Sequence, residues 1–225
     1  MGEIKIKDRE IVVPGEILAE GMDFIPSFGT YREKDNIISL KLGLANIKGK
    51  VITLIPLAGR YAPKRDDIII GNISEILLSG WRLETNCAYL AMLSMKDATS
   101  EFIERGADLT KYFNVGDYIV TKVVNVTSQK LIDVSMKGPG LKKLRGGQVI
   151  KVNQNKIPRI IGKAGSMIGL IKQSTGCQIT AGQNGIIWLN GEPLNEIIAI
   201  KAIRMIENNS HINGLTEKVK EFLEK

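Results

Sequence analysis

Gly162-Lys163-Ala164-Gly165 is the stretch of this chain best suited to receive an anion. Two glycines separated by two residues leave a backbone that a nucleic-acid strand can approach with no Cβ in the way. The run after it, Ser166-Met167-Ile168-Gly169-Leu170-Ile171, has the apolar spacing of a helix, whose first N–H groups lack partners inside the helix and attract phosphate. Lys163 adds a mobile cation, and Ile160, Ile161, Ile168 and Ile179 could wall an apolar groove for extruded bases. Lys142, Lys143, Arg145, Lys151, Lys156, Arg159, Lys163 and Lys172 surround the motif, and from Val134 to Gly191 there are nine basic residues and no acidic one. A run of charge is most often a solvated face. With no acids interspersed and a phosphate-receiving loop in its middle, this one favours contact with a polyanionic backbone.

Other chemistry is poorly supplied. One histidine, His211, leaves no cluster for zinc and a poor source for a Ser-His or Cys-His pair. Cys87 and Cys177 lie far apart, with no second thiol near either, and read as buried apolar positions. Asp66-Asp67 is explained by a turn without a metal. Gly43 to Lys50 resembles a phosphate-binding P-loop only superficially, because five residues separate Gly43 from Gly49 and Val51 stands in place of Ser or Thr. The expectation is no catalytic residue, no metal and no cofactor. A nuclease working through Asp66, Asp67 or other carboxylates is the enzymatic alternative, and it requires metal-dependent shortening of RNA. No run approaches eighteen apolar residues, and Met1 to Asp8 alternates charged and apolar positions where a secretion signal would be continuously apolar, so a soluble cytoplasmic chain with no membrane partner is expected.

The elements that must position the loop follow from hydrophobic periodicity. The 225 residues carry a net charge of +7. Residues 1–64 hold ten basic against eight acidic side chains, 65–139 eight against ten, and 140–225 thirteen against six, so the whole excess sits in the last third. Residues 1–64 read as a small all-β domain, with strands at Ile11 to Val13, Phe28 to Tyr31, Ile37 to Leu42 and Val51 to Ile55, and a hinge from Tyr61 to Asp67. Residues 65–139 read as five strands with an insertion between the third and fourth, the layout of a small OB-fold β-barrel; the insertion, around Glu101 to Arg105, suits a short helix or a long loop. Lys137-Gly138-Pro139-Gly140 reads as a linker. Residues 147–225 alternate as β-α-α-β-β-α with an amphipathic tail, and Asn184-Gly185 marks a hairpin.

The last third resembles the type I KH domain, an α+β fold whose G-x-x-G loop clamps four nucleotides of a single strand. Ile160-Ile161-Gly162-Lys163-Ala164-Gly165-Ser166-Met167-Ile168-Gly169-Leu170-Ile171 follows its pattern with Ile for Val. The middle segment resembles the S-one type of OB fold through Gly71-Asn72-Ile73, Val115-Gly116-Asp117 and Ile132 to Lys137. It departs from that family where RNA is usually held. Ser79-Gly80-Trp81-Arg82-Leu83 stands where two aromatics bracket a glycine, and Met92 stands near the usual histidine, which leaves Trp81, Arg82 and Lys122 for weaker, mostly electrostatic contact. Trp188, at a strand position in a hairpin, reads as core.

Three such modules in this order resemble the KH-bearing, RNA-binding cap subunit of the archaeal exosome. Val12-Val13-Pro14-Gly15-Glu16, Phe28-Gly29-Thr30-Tyr31 and Tyr61 to Gly71 match that family's signatures, with Asp66-Asp67 where Gly-Asp is common. The resemblance implies a non-catalytic chain that captures single-stranded RNA and feeds its 3′ end to a hexameric ring of RNase PH-like subunits, with other cap subunits as further candidate partners. It implies RNA contacts at Gly162, Lys163, Ala164, Gly165, Ile160, Ile161, Arg159, Ser166, Ile168, Lys172 and Lys151, with Arg82 and Lys122 on the barrel. Ring docking falls to Pro14, Gly15, Gly29, Thr30 and Tyr31. The competing reading is a stand-alone OB/KH RNA-binding factor in transcription or translation, which has no need of Pro14-Gly15 or Gly29-Thr30-Tyr31.

Overall fold

The computed structural model describes residues 2–57, 59–104, 106–210 and 214–224. His211 and Arg105 lie outside the described residues. The chain divides into two compact units, Met1–Gly59 and Arg60–Lys225.

The first unit is all β, as expected. One sheet has the order β1-β3-β6-β5 (Glu3–Ile4, Ile17–Glu20, Asn36–Ser39, Thr30–Glu33) and the other β2-β7-β8-β4 (Ile11–Val12, Gly43–Lys48, Val51–Pro56, Ile25–Pro26). Both contribute to one core: Leu18, Ala19 and Ile37 from the first meet Val12, Ala45, Ile52 and Leu54 from the second, with Ile6 and Phe24 completing it. The segment with a superficial P-loop spacing is strand β7, with its backbone paired to β8 from Gly43↔Pro56 to Lys48↔Val51. A strand spent on a ladder cannot wrap its amides around phosphate.

The second unit begins with a correction to the expected hinge. Tyr61 is buried in the barrel core, and its hydroxyl donates to Asp67 Oδ2 at 2.6 Å; the same carboxylate accepts from the Lys64 N–H at 3.1 Å. The segment is therefore a folded turn that seals the barrel. Five strands then close in the order β10-β11-β13-β12-β9, where β9 is Ile68–Leu77, β10 Gly80–Glu84, β11 Leu90–Ser94, β12 Tyr118–Val126 and β13 Ile132–Ser135. The ten residues of β9 serve two neighbours, pairing with β12 through Ile68 to Asn72 and with β10 through Asn72 to Leu77. Helix α1 (Met95–Ala98) and a 3-10 turn at Leu109–Lys111 fill the insertion between the third and fourth strands.

The last part carries the expected β-α-α-β-β-α order: β14 (Gln148–Lys151), α2 (Ile157–Ile161), α3 (Ser166–Thr175), β15 (Gln178–Ala181), β16 (Ile186–Asn190) and α4 (Pro193–Asn208), followed by α5 (Leu215–Leu223). The sheet order is β14-β16-β15, antiparallel throughout. Alternation along β16 sends Ile187 and Leu189 into the core under the helices, with Ile160, Met167, Ile171, Ala199 and Ile203. Ile186 and Trp188 point the other way. There they join Ile70 and Val120 of the barrel and Leu144 of the connection in a second buried cluster. The segment that follows the expected linker is tied to the barrel: the Val120 N–H donates to Lys142 O at 2.8 Å, and the Leu144 N–H donates to Tyr118 O at 2.8 Å.

Candidate nucleic-acid interface

Helix α2 stops at Gly162, where φ is 76° and the N–H still donates to Pro158 O at 3.0 Å. A Cβ at this position would stand 2.7 Å from the Met167 backbone nitrogen and 2.8 Å from Met167 Cβ. Close approach of the two helices thus requires glycine here. Lys163 and Ala164 form the exposed tip, Ala164 in the left-handed region at φ 53°, and Gly165 at φ 79° leads into α3. Gly165 gives α3 no side-chain cap, and the first N–H of the helix, that of Ser166, donates to Lys163 O within the 3-10 turn of the loop. Ser166 is also exposed at this end.

The structure sorts the apolar groove candidates into two pairs. Ile161 and Ile168 are half-buried beside the loop. Ile160 is fully buried and Ile179 nearly so, both within the core under the helices, so the expected groove contact by Ile160 is corrected: it holds α2 in place. Arg159, Lys151 and Lys172 are exposed around the motif. Lys143 is committed elsewhere, in an ion pair with Asp117 at 2.5 Å.

On the barrel, Trp81 is corrected from candidate contact to core. It has no exposed surface, its indole N–H donates to Phe113 O at 3.2 Å, and Phe113 meets it edge-on at 5.2 Å between centroids. Arg82 and Lys122 are half-exposed and each holds an acid, Glu75 at 2.6 Å and Asp66 at 2.7 Å. Lys122 keeps the Asp66 carboxyl below the usual carboxylate range. Exposed pairs of this kind contribute little and can be exchanged for phosphate. The adjacent acids are thereby accounted for, Asp66 by Lys122 and Asp67 by Tyr61 and Lys64.

The docking candidates of the first unit also divide. Thr30 is corrected to an internal role: it is buried, its hydroxyl donates to Ser27 O at 2.9 Å and lies 3.0 Å from Ile52 O, and it accepts from the Ser27 N–H. Gly29, at φ 83°, lets the turn pass over Leu54, whose Cβ would be 2.9 Å from any added Cβ. Pro14, Gly15 and Tyr31 remain on the surface.

Two roles were not legible in the sequence: the grip of Asn184 on the barrel and the placing of Lys142 over Trp188. Asn184, legible only as a turn former, is fully buried and grips the barrel: its side-chain amide donates to Ile70 O at 2.7 Å and Thr85 O at 2.9 Å, and its Oδ1 accepts from the Ile70 N–H at 3.3 Å. Lys142 places its ammonium 5.9 Å from the centre of the Trp188 ring.

Comparison with known proteins identifies the parts. The family profile described as the exosome RNA binding protein RRP4 N-terminal domain matches residues 9–58, and the KH domain profile matches 147–195. The exosome complex component Rrp4 of Thermococcus kodakarensis is 43% identical over 227 residues, covering 99% of this chain and 88% of the relative. That of Methanothermus fervidus is 41% identical, covering 97% and 96%. The chain belongs to the Rrp4 family of exosome components. A crystal structure of an exosome complex RNA-binding protein superposes with a TM-score of 0.67 at 30% identity, covering 74% of this chain and 96% of that one. The β sandwich, five-stranded barrel and α+β KH module of this Rrp4-family chain are therefore its family architecture.

Proposed function

We propose that this chain is the non-catalytic cap of an archaeal exosome, which captures single-stranded RNA on its KH module and passes the 3′ end to a ring of RNase PH-like subunits. The observation that carries the reading is the loop tip: Lys163 and Ala164 stand exposed between two glycines, in a stretch with nine basic residues and no acid. Phosphate contacts there carry the affinity, and the half-buried Ile161 and Ile168 offer apolar surface to extruded bases.

Docking on the ring falls to the first unit. Ile11, Leu44 and Ile55 are register neighbours across β2, β7 and β8, and Ile11 and Ile55 are exposed. With exposed Pro14 and Gly15 nearby in sequence, they supply the apolar area a protein partner would cover, and Tyr31 stands exposed on β5 of the other sheet. A nuclease reading finds no support in Asp66 and Asp67, which already have partners, and a stand-alone factor has no use for this apolar surface.

The test uses residues 163 and 164, because a side chain at Gly162 would disturb the helix packing as well as the ligand. Lys163→Asp with Ala164→Asp puts two negative charges on an exposed tip. RNA affinity should fall about tenfold or more at low salt, the loss shrinking as salt rises. Unchanged affinity for a single-stranded RNA, with the fold intact by circular dichroism, overturns the site.

A further inference from the structure

The connection between barrel and KH module runs extended along β12, with an isolated bridge between Ile119 and Lys143. Successive side chains of an extended segment face opposite ways. Lys143 turns to the barrel and pairs with Asp117, whereas Leu144 and Lys142 turn to the outer face of the KH sheet, Leu144 packing with Trp188 and Lys142 lying over its ring. Lys142 makes no ion pair among the described residues and is exposed. Beside it opens a groove of about 380 Å³ lined by Lys142, Lys172, Gln178, Ile179, Thr180 and Trp188. Its floor is β15, the outermost strand of the sheet, which has β16 on only one side. Lys172 stands on the far wall, on the same helix that begins at the G-x-x-G loop.

We infer that the RNA track does not end with the KH module but continues over the free edge of β15 onto the connection, where Lys142 binds a backbone phosphate outside the four-nucleotide clamp. The two walls come from different modules, and each brings one cation facing the open strand edge. The ring of Trp188 and the backbone bond from Val120 fix where Lys142 stands, so its ammonium is positioned before RNA arrives. The chemistry is that of a polyanion: two ammonium groups, amide and hydroxyl side chains from Gln178 and Thr180, and no carboxylate among the lining residues.

This inference rests on the RNA-binding reading above, and the experiment separates the two. Affinities of the full chain are measured for a four-nucleotide and an about twelve-nucleotide single-stranded RNA, using wild type, Lys142→Glu, and Lys218→Glu as a control of equal charge change on α5. The extended track predicts that Lys142→Glu loses about fivefold for the longer RNA, lowers its salt slope by about one, and leaves the shorter RNA within about twofold, with Lys218→Glu near wild type throughout. Equal losses for Lys142→Glu and Lys218→Glu, or no loss with the longer RNA while Lys163→Asp/Ala164→Asp abolishes binding, overturns the extension and leaves the loop site standing. No binding of either RNA by wild type overturns both.

Discussion

Two glycines three positions apart in the phosphate loop are held to glycine by different demands, and mutation separates them. At Gly162 an added Cβ meets the Met167 backbone at 2.7 Å, whereas at Gly165 nothing lies within 4 Å and only the left-handed backbone resists. Gly162→Ala should therefore lower stability by about 2–3 kcal/mol and Gly165→Ala by about 1 kcal/mol, compared by urea denaturation. Tyr61 makes a second residue-level prediction. Burial first, and then the Asp67 carboxylate that accepts its hydrogen bond, raise its pKa above that of a free tyrosine. In alkali the unfolded chain then ionises first, so the native state holds the extra proton and stability falls as pH climbs past about 10. Tyr61→Phe should flatten that decline in a series of denaturation curves. Neither role could be read from the residue types alone, because Tyr61 sits in a stretch of proline and charge that resembles any interdomain turn.

At the scale of elements, what was legible depended on whether a segment's partner lies close in sequence. The Gly162 to Gly165 loop, helix α3 and the hairpin at Asn184-Gly185 are local devices, and each stands where spacing puts it. Strands β1, β3, β4 and β7 were not legible. Two of them have only two residues, β7 opens on glycine, and their pairing is decided by chain up to tens of residues away. The barrel tryptophan misled for a related reason: an aromatic on a strand could face either way, and β10 turns Trp81 inward to meet Phe113 from the insertion. The Gly182 to Gly185 turn shows the same limit from the other side. Its hairpin role was plain, but the reach of Asn184 to Ile70 and Thr85 spans more than ninety positions of sequence. Asn184→Leu would strand the Ile70 N–H and two backbone carbonyls in a buried junction. A loss of about 3 kcal/mol is expected in chemical denaturation, against about 0.5 kcal/mol for exposed Gln173→Leu.

At the scale of the molecule, the basic excess and the apolar surface proposed for docking lie in different parts of the chain. The excess of basic residues lies after residue 139, and the first unit exposes Ile11, Val13, Phe28, Leu40, Leu42 and Ile55. Recruitment and RNA affinity should therefore be separable. Ile55→Glu is expected to reduce co-purification with exosome subunits severalfold and leave RNA affinity of the purified chain within about twofold, whereas Lys163→Asp/Ala164→Asp does the reverse. The buried cluster in which Trp188 and Ile186 meet Ile70, Val120 and Leu144 has a consequence for anyone who would transplant the KH module. Cut at residue 147, the sheet would present tryptophan and isoleucine to water, and such a fragment should precipitate or self-associate unless that face is redesigned. Moving this module into another protein therefore means bringing the barrel with it or recasting the face that Trp188 and Ile186 occupy.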